Sequence, residues 1–158
     1  MNKKQISVLI FFLLITFLAA FIGNFFTMPN IQDWYISLNK PSFNPPTWLF
    51  GPAWTILYVL MAVSAFLVWR EKGNPQRKKA LTFYFIQLAL NSLWSVIFFG
   101  LHNLGLAFLE IIFLWFFIVL TLINFYTIKK LAGILFIPYL IWVSFAGILN
   151  FAIWQLNI

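Results

Sequence analysis

Residues 34–58 read WYISLNKPSFNPPTWLFGPAWTILY, and this stretch sets the organisation of the chain. It holds three tryptophans, two tyrosines and four prolines between long apolar runs. Proline fixes φ, removes a backbone donor and disfavours helix at the preceding residue, so Pro41, Pro45 and Pro46 predict a stiff, extended loop. The loop should then lead into a helix that carries Trp54 and Tyr58.

The aromatic loop supports two interpretations. A stiff aromatic segment between two apolar helices can act as a lid over a flat ligand. Trp and Tyr are also common where an ordered connector lies at the membrane interface. We predict that the loop covers residues 28–51, which makes it the one long loop of the chain, and long loops in compact domains are often functional. Both interpretations stay open on this segment alone.

The rest of the chain has the composition of an integral membrane protein. It is 63% hydrophobic and 8% charged, with a mean hydropathy of +0.95. A hydrocarbon core of roughly 30 Å needs about 20 helical residues. Five apolar runs meet that length, and they lack the strict alternation of a transmembrane barrel. The sequence therefore predicts an all-α integral membrane bundle in a single domain (residues 1–158), with five transmembrane helices near residues 6–27, 52–69, 80–100, 104–128 and 131–156.

The net charge of +7 is distributed by side of the membrane, which argues against a nucleic-acid partner. With five spans, one side holds nine basic residues: Lys3, Lys4, Arg70, Lys72, Arg77, Lys78, Lys79, Lys129 and Lys130. The opposite side holds only Lys40. This bias predicts a multi-pass protein of the cell membrane with its N-terminus in the cytoplasm and its C-terminus outside. The basic residues also suit contact with anionic lipid. The first apolar run is too long for a usual signal core, so we expect it to be retained as a helix.

Two helix faces combine groups that could bind a ligand. Gln87, Asn91 and Ser95 recur every four residues on the third helix, and polar groups inside a bilayer face protein or a cavity. They could orient a ligand or simply join helices by hydrogen bonds. On the fifth helix, Trp142, Ala146 and Asn150 place a large ring beside a small residue, which forms either a recess for a planar ligand or ordinary core packing.

The chain contains none of the common catalytic motifs. It has no phosphate loop, paired carboxylates, Ser/His/Asp set or metal cluster, and we expect neither a metal nor a cofactor. Glu110 is the one acidic residue within a span, and a structural hydrogen bond is favoured over a proton relay. His102, the sole histidine, falls in a predicted outer turn and is a poor candidate for haem ligation.

The aromatic motifs are similar to those of a known family. In the first loop and second helix they are Trp34, Tyr35, Leu38, Lys40, Pro41, Pro45, Pro46, Trp48, Pro52, Trp54, Leu57 and Tyr58. The third helix adds Asn91, Trp94, Phe98, Phe99 and Gly100. The fifth adds Pro138, Tyr139, Trp142, Phe145, Ala146, Leu149, Asn150 and Trp154. With this order and spacing the chain resembles the TspO/MBR family of tryptophan-rich sensory or translocator proteins.

The resemblance implies a ligand pocket beneath the first outer loop. Family ligands include porphyrins such as protoporphyrin IX and other flat apolar molecules. Carried over by residue, the pocket would use Tyr35, Pro45, Trp54, Tyr58, Asn91, Trp94, Trp142 and Ala146. Family members have been proposed as sensors, transporters and light-dependent porphyrin-degrading catalysts. In a catalyst, Trp54 and Trp142 would be the redox residues. Family members are often homodimers, although no Gly-xxx-Gly seam is present here.

The charge bias predicts the side on which the C-terminus lies. A reporter that works only in the cytoplasm, fused after Ile158, should be inactive. The nine basic residues keep the other end of the bundle in the cytoplasm, which leaves the C-terminus outside. The same reporter fused before Asn2 is the positive control. Activity of the C-terminal fusion would show that the orientation is wrong.

Overall fold

The structure is a computed structural model that describes residues 2–158. Five helices account for most of them, and residues 2–158 contain no strand. All five helices are long and apolar enough to cross a membrane, which confirms the predicted fold class. Their bounds are α1 Lys3–Asn30, α2 Phe50–Arg70, α3 Arg77–Ser95, α4 Leu104–Ile128 and α5 Lys130–Leu156.

The first helix is longer than the sequence predicted, and the loop after it is shorter. Pro29 lies inside α1, and a π-helical turn (Ile31–Tyr35) extends the helical path to Ser37. Just after this proline, Asn30 Nδ2 donates to the Phe26 carbonyl (2.9 Å), and the helix continues as the π-helical turn. The prediction of a loop over residues 28–51 was therefore wrong at its start, and the irregular segment is residues 38–46.

At the C-terminal end of that segment, Pro46 and Pro52 end the irregular stretch and lead into a helix, as predicted. Pro46 has an extended backbone (φ −62°, ψ 142°), and a 3₁₀ turn (Thr47–Leu49) follows it. Pro52 lies in the first turn of α2, where a missing N–H leaves no intrahelical bond unmade. Residues 38–46 thus form a short, proline-stiffened connector between two helices, hereafter the lid.

Hydrogen bonds hold the lid at both of its sides. Lys40 Nζ donates to the carbonyls of Tyr35, Ile36 and Leu38 (2.8, 3.0 and 2.7 Å), so it caps the end of the first helical segment. Asn39 N donates to Asn157 Oδ1 (3.0 Å), and Asn157 Nδ2 donates back to the Asn39 carbonyl (2.9 Å). The lid is therefore attached to the end of α5.

The helices form a closed ring. Going round it, α1 packs on α2, α2 on α5, α5 on α4, α4 on α3, and α3 on α1. A π-helical turn (Val96–Gly100) continues α3, and the turn 101–103 then leads to α4. His102 within that turn has a positive φ of 52°. The two ends of the ring are called the lid face, which carries residues 38–46 and 101–103, and the basic face, which carries the N-terminus, residues 71–76 and Lys129. Nine of the ten basic residues lie at the basic face, as the sequence predicted.

Candidate functional site

A cavity of about 710 Å³ occupies the half of the ring nearest the lid face. All five helices contribute to its wall, and its volume falls within the usual range of ligand pockets. Aromatic, aliphatic and small polar residues line it, and among residues 2–158 no lining residue carries a charge. The residues that line it include Phe21, Asn24, Met28, Tyr35, Thr47, Trp48, Phe50, Trp54, Tyr58, Asn91, Trp94, Ser95, Ile111, Leu114, Trp142 and Ala146.

An aromatic wall forms where α2 faces α5. The indole of Trp54 stacks on the ring of Tyr58, with centroids 5.3 Å apart and planes at 26°. The same indole meets Trp142 edge-on, with centroids 6.4 Å apart and planes at 83°. Trp54 and Tyr58 lie one turn apart on α2, as do Trp142 and Ala146 on α5, so the helix period places these groups on the inner faces. The small side chain of Ala146 leaves the recess that the sequence predicted.

Asn91 lies on the cavity wall and joins three helices. Its Oδ1 accepts a hydrogen bond from the hydroxyl of Tyr58 on α2 (2.7 Å). Its Nδ2 donates to the hydroxyl of Tyr139 on α5 (3.1 Å). Asn91 is 5% exposed and Tyr139 is fully buried, so both bonds are made away from solvent. For Asn91 the two interpretations are therefore not exclusive, because the same amide links helices and faces the cavity. Gln87 fits neither interpretation, because its buried amide has no partner among residues 2–158 and does not line the cavity.

A second amide fixes the ring of Trp94. The indole Nε1 of Trp94 donates to Asn150 Oδ1 (3.0 Å), and Asn150 Nδ2 donates to the Leu104 carbonyl (3.0 Å). The indole also stacks on Phe98, with centroids 4.8 Å apart. Trp94 therefore presents a fixed face to the cavity, since its polar edge is already paired.

Seven of the eight residues carried over from the resemblance line the cavity: Tyr35, Trp54, Tyr58, Asn91, Trp94, Trp142 and Ala146. Pro45 does not. The adjacent Asn44 links the two residues, because its Oδ1 accepts from the Tyr35 hydroxyl (2.8 Å) and its Nδ2 donates to the Pro45 carbonyl (3.1 Å). The ligand-binding roles of all eight residues stay predictions.

The lid itself does not line the cavity, but residues on either side of it do. None of residues 38–46 lines it, whereas Thr47, Trp48 and Phe50 do. Tyr35 lies at the end of the first helical segment and is 6% exposed, with its ring against Phe98 and Phe99. Tyr35 therefore forms part of the wall, and its hydroxyl is bound to Asn44 of the lid.

Sequence reasoning missed the contribution of α1. Phe21, Asn24 and Met28 line the cavity and are exposed on the outer surface, as is Trp48 before α2. The cavity thus opens sideways between α1 and α2. The side chain of Asn24 makes no hydrogen bond within the described residues 2–158. It is the one amide within residues 6–27, a signal that could have identified it.

The two remaining candidates lie outside the wall. Both carboxylate oxygens of Glu110 are buried and have no partner among residues 2–158, so the structural hydrogen bond expected for it is not made. His102 is exposed in its turn, as predicted. Its ring stacks on Trp34 (centroids 4.2 Å apart), and its Nε2 lies 3.0 Å from Asn30 Oδ1.

Comparison with known proteins gives one family and several relatives. The family model for the TspO/MBR family matches residues 11–155. The tryptophan-rich protein TspO of Archaeoglobus fulgidus is 47% identical over 140 residues, which cover 87% of this chain and 89% of that protein. Protein CrtK of Rhodobacter capsulatus is 46% identical over 125 residues, covering 78% of each. The translocator protein of Homo sapiens is 37% identical over 142 residues, covering 89% of this chain and 84% of that protein. The matched region includes part of every helix.

Asn91→Leu should destabilise the fold because it leaves the Tyr58 and Tyr139 hydroxyls without this partner. Each buried polar group left unpaired costs about 1–3 kcal/mol, so the thermal unfolding temperature in detergent should fall clearly. Asn124→Leu is the matched control, since the Asn124 amide bonds only to Leu120 of its own helix. Equal unfolding temperatures for the two variants would contradict the bridging role of Asn91.

Proposed function

The chain belongs to the TspO/MBR family, as its aromatic motifs predicted, and on this premise we propose that it is a membrane receptor that binds porphyrins in the central cavity. The observation that carries the proposal is the uncharged cavity of about 710 Å³ with the stacked Trp54–Tyr58 pair in its wall. A flat aromatic macrocycle of the protoporphyrin IX type has the matching chemistry, because aromatic faces stack on one another and gain dispersion energy.

The polar groups of the wall suit a ligand that is apolar over most of its surface. The amide of Asn91 keeps one N–H and one lone pair beyond its two bonds to tyrosines, so it can orient one edge of a ring. Asn24 offers an amide at the side opening, where a polar substituent of a ligand held in the cavity would reach the surface. Other flat apolar molecules fit the same description.

The lid is proposed to control exchange of the ligand. Its contact with the cavity runs through the hydrogen bond from Tyr35 to Asn44, and its prolines lower the entropy lost when it is ordered. The basic face is proposed to be cytoplasmic, in keeping with the bias of positive charge. Relatives are named as a tryptophan-rich sensory protein and as translocator proteins, so sensing and tetrapyrrole transport are both compatible with a binding site. A homodimer remains a proposal that comes from the family alone.

Light-dependent porphyrin breakdown is a second candidate, favoured by the edge-on contact of Trp54 with Trp142. Both indoles line the cavity, so either can lie against a bound macrocycle. Indole is the most readily oxidised of the aromatic side chains in this wall and could supply an electron to an excited porphyrin. These two residues would then be catalytic, with no conventional acid–base group taking part.

Ala146→Phe should block porphyrin binding, because the added ring fills the recess next to Trp142. We expect the dissociation constant for protoporphyrin IX, measured by fluorescence titration in detergent, to rise about tenfold or more, which corresponds to roughly 1.4 kcal/mol. Ile148→Phe is the matched control, since Ile148 lies on the same helix and is 62% exposed on the outer surface. Unchanged affinity in a folded Ala146→Phe variant would place the ligand elsewhere.

Trp54→Phe and Trp142→Phe separate binding from photochemistry. Phenylalanine keeps much of the stacking area but is much harder to oxidise. Each variant should retain most of its porphyrin affinity. The light-driven decrease in porphyrin absorbance should be much slower than in wild type. Loss of both properties would indicate a packing role. Breakdown at the wild-type rate in both variants would remove the redox candidate and leave the receptor.

A further inference from the structure

A second, much smaller cleft lies at the basic face, at the opposite end of the bundle from the cavity. Its volume is about 50 Å³, and it lies between the start of α1 and the end of α2. Six residues line it: Asn2, Lys4, Gln5, Trp69, Arg70 and Lys72. None of them lines the central cavity, so the cleft is a separate feature.

The α1 side of the cleft offers hydrogen-bond donors. Asn2 and Gln5 form a reciprocal cap: Gln5 N donates to Asn2 Oδ1 (2.9 Å), and Asn2 N donates to Gln5 Oε1 (3.2 Å). Each amide thereby uses its oxygen within the helix start. Each side chain keeps its NH₂ group, which only donates, and one lone pair on its oxygen.

The α2 side also offers mainly donors. A helix end normally presents unpaired carbonyls, but here Arg77 Nη1 donates to the Trp69 carbonyl (3.2 Å) and the Lys72 N–H donates to the Arg70 carbonyl (2.9 Å). The indole of Trp69 has only an N–H to offer. The polar side-chain groups around the cleft are therefore mainly donors.

The charge of the cleft is positive and unopposed. Lys4, Arg70 and Lys72 contribute three cations, and Lys72 Nζ lies 5.9 Å from the centroid of the Trp69 ring. Glu71 stands between two of these cations in the sequence, yet it pairs with Lys129 at 3.2 Å. That is the one ion pair among residues 2–158, so no carboxylate neutralises the cleft.

We propose that this cleft binds the phosphate group of an anionic lipid in the leaflet on the basic face. A cleft lined by donors and cations recognises an anion, and the guanidinium of Arg70 has the geometry to bind phosphate through two parallel hydrogen bonds. The cleft lies where one spanning helix begins and another ends, which is the depth of lipid headgroups. A tryptophan in its wall is typical of that depth. This site does not depend on the function proposed for the cavity.

The test uses the full-length protein purified in detergent and native mass spectrometry to count bound lipids. Wild type should retain phosphatidylglycerol in preference to phosphatidylcholine. The double variant Arg70→Gln/Lys72→Gln should bind phosphatidylglycerol about tenfold more weakly or worse, because each cation near a headgroup contributes to the attraction. Lys78→Gln/Lys79→Gln is the matched control. It removes two charges from the same face that lie outside the cleft, and one of them, Lys79 Nζ, lies 5.7 Å from the centroid of the Phe83 ring. This control should bind phosphatidylglycerol as wild type does.

Three results would overturn the proposal: equal retention of the two lipids by wild type, equal losses in the two double variants, or displacement of the lipid by inorganic phosphate with no lipid preference left. The last result would assign the cleft to a soluble phosphate. Lys4→Gln decides the question if the Arg70→Gln/Lys72→Gln protein loses its helical circular dichroism. The exposed Lys4 lies in the first turn of α1, and its loss should weaken phosphatidylglycerol binding without affecting folding.

Discussion

The structure depends on the cost of leaving a polar group unpaired in hydrocarbon. Helices satisfy the backbone. The buried side chains of Gln87 and Glu110 have no partner among residues 2–158, but several other polar side chains find partners inside the bundle. They do so across helix boundaries: Ser92 Oγ on α3 donates to the Ala19 carbonyl on α1 (2.9 Å), Asn91 bonds to tyrosines on α2 and α5, and Asn150 on α5 donates to a carbonyl on α4. The bonds of Ser92 and Asn150 join neighbours in the ring, whereas the two bonds of Asn91 cross its interior. Polar pairing therefore specifies which helices pack together. Apolar contact cannot do so, because lipid tails are as apolar as the helices.

The same pairing shapes the cavity. Asn91 faces the open space and also joins three helices, so its removal would change the wall and the packing together. Trp94 has its indole N–H paired with Asn150, which leaves its ring face for contact. A wall built in this way holds large aromatic surfaces in fixed orientations. The recess is already formed, which lowers the entropy cost of holding a rigid, flat ligand.

The sequence predicted the five spans, their order and the basic face because these follow from length, hydropathy and charge, which are local properties. It also placed the aromatic groups of α2 and α5 together through the helix period and the family motifs. The prediction from sequence was wrong where the tertiary structure overrides a local sequence rule. Pro29 signals the end of a helix in water, yet α1 continues past it through a π-helical turn. Pro45 was expected in the pocket, but it is not among the residues that line the cavity.

The sequence by itself determined that this chain is a five-helix membrane bundle, which way its charges divide, and which aromatic residues belong to its family motif. The tertiary structure alone decided which face of α1 points inward. In a soluble protein the apolar face is the inner one, but here nearly every face is apolar, so the periodicity of α1 could not reveal that Phe21 and Asn24 border the cavity. The cleft at the basic face likewise exists only because α1 begins beside the end of α2. Its donors come from residues 2–5 and 69–72, segments that only helix packing brings together.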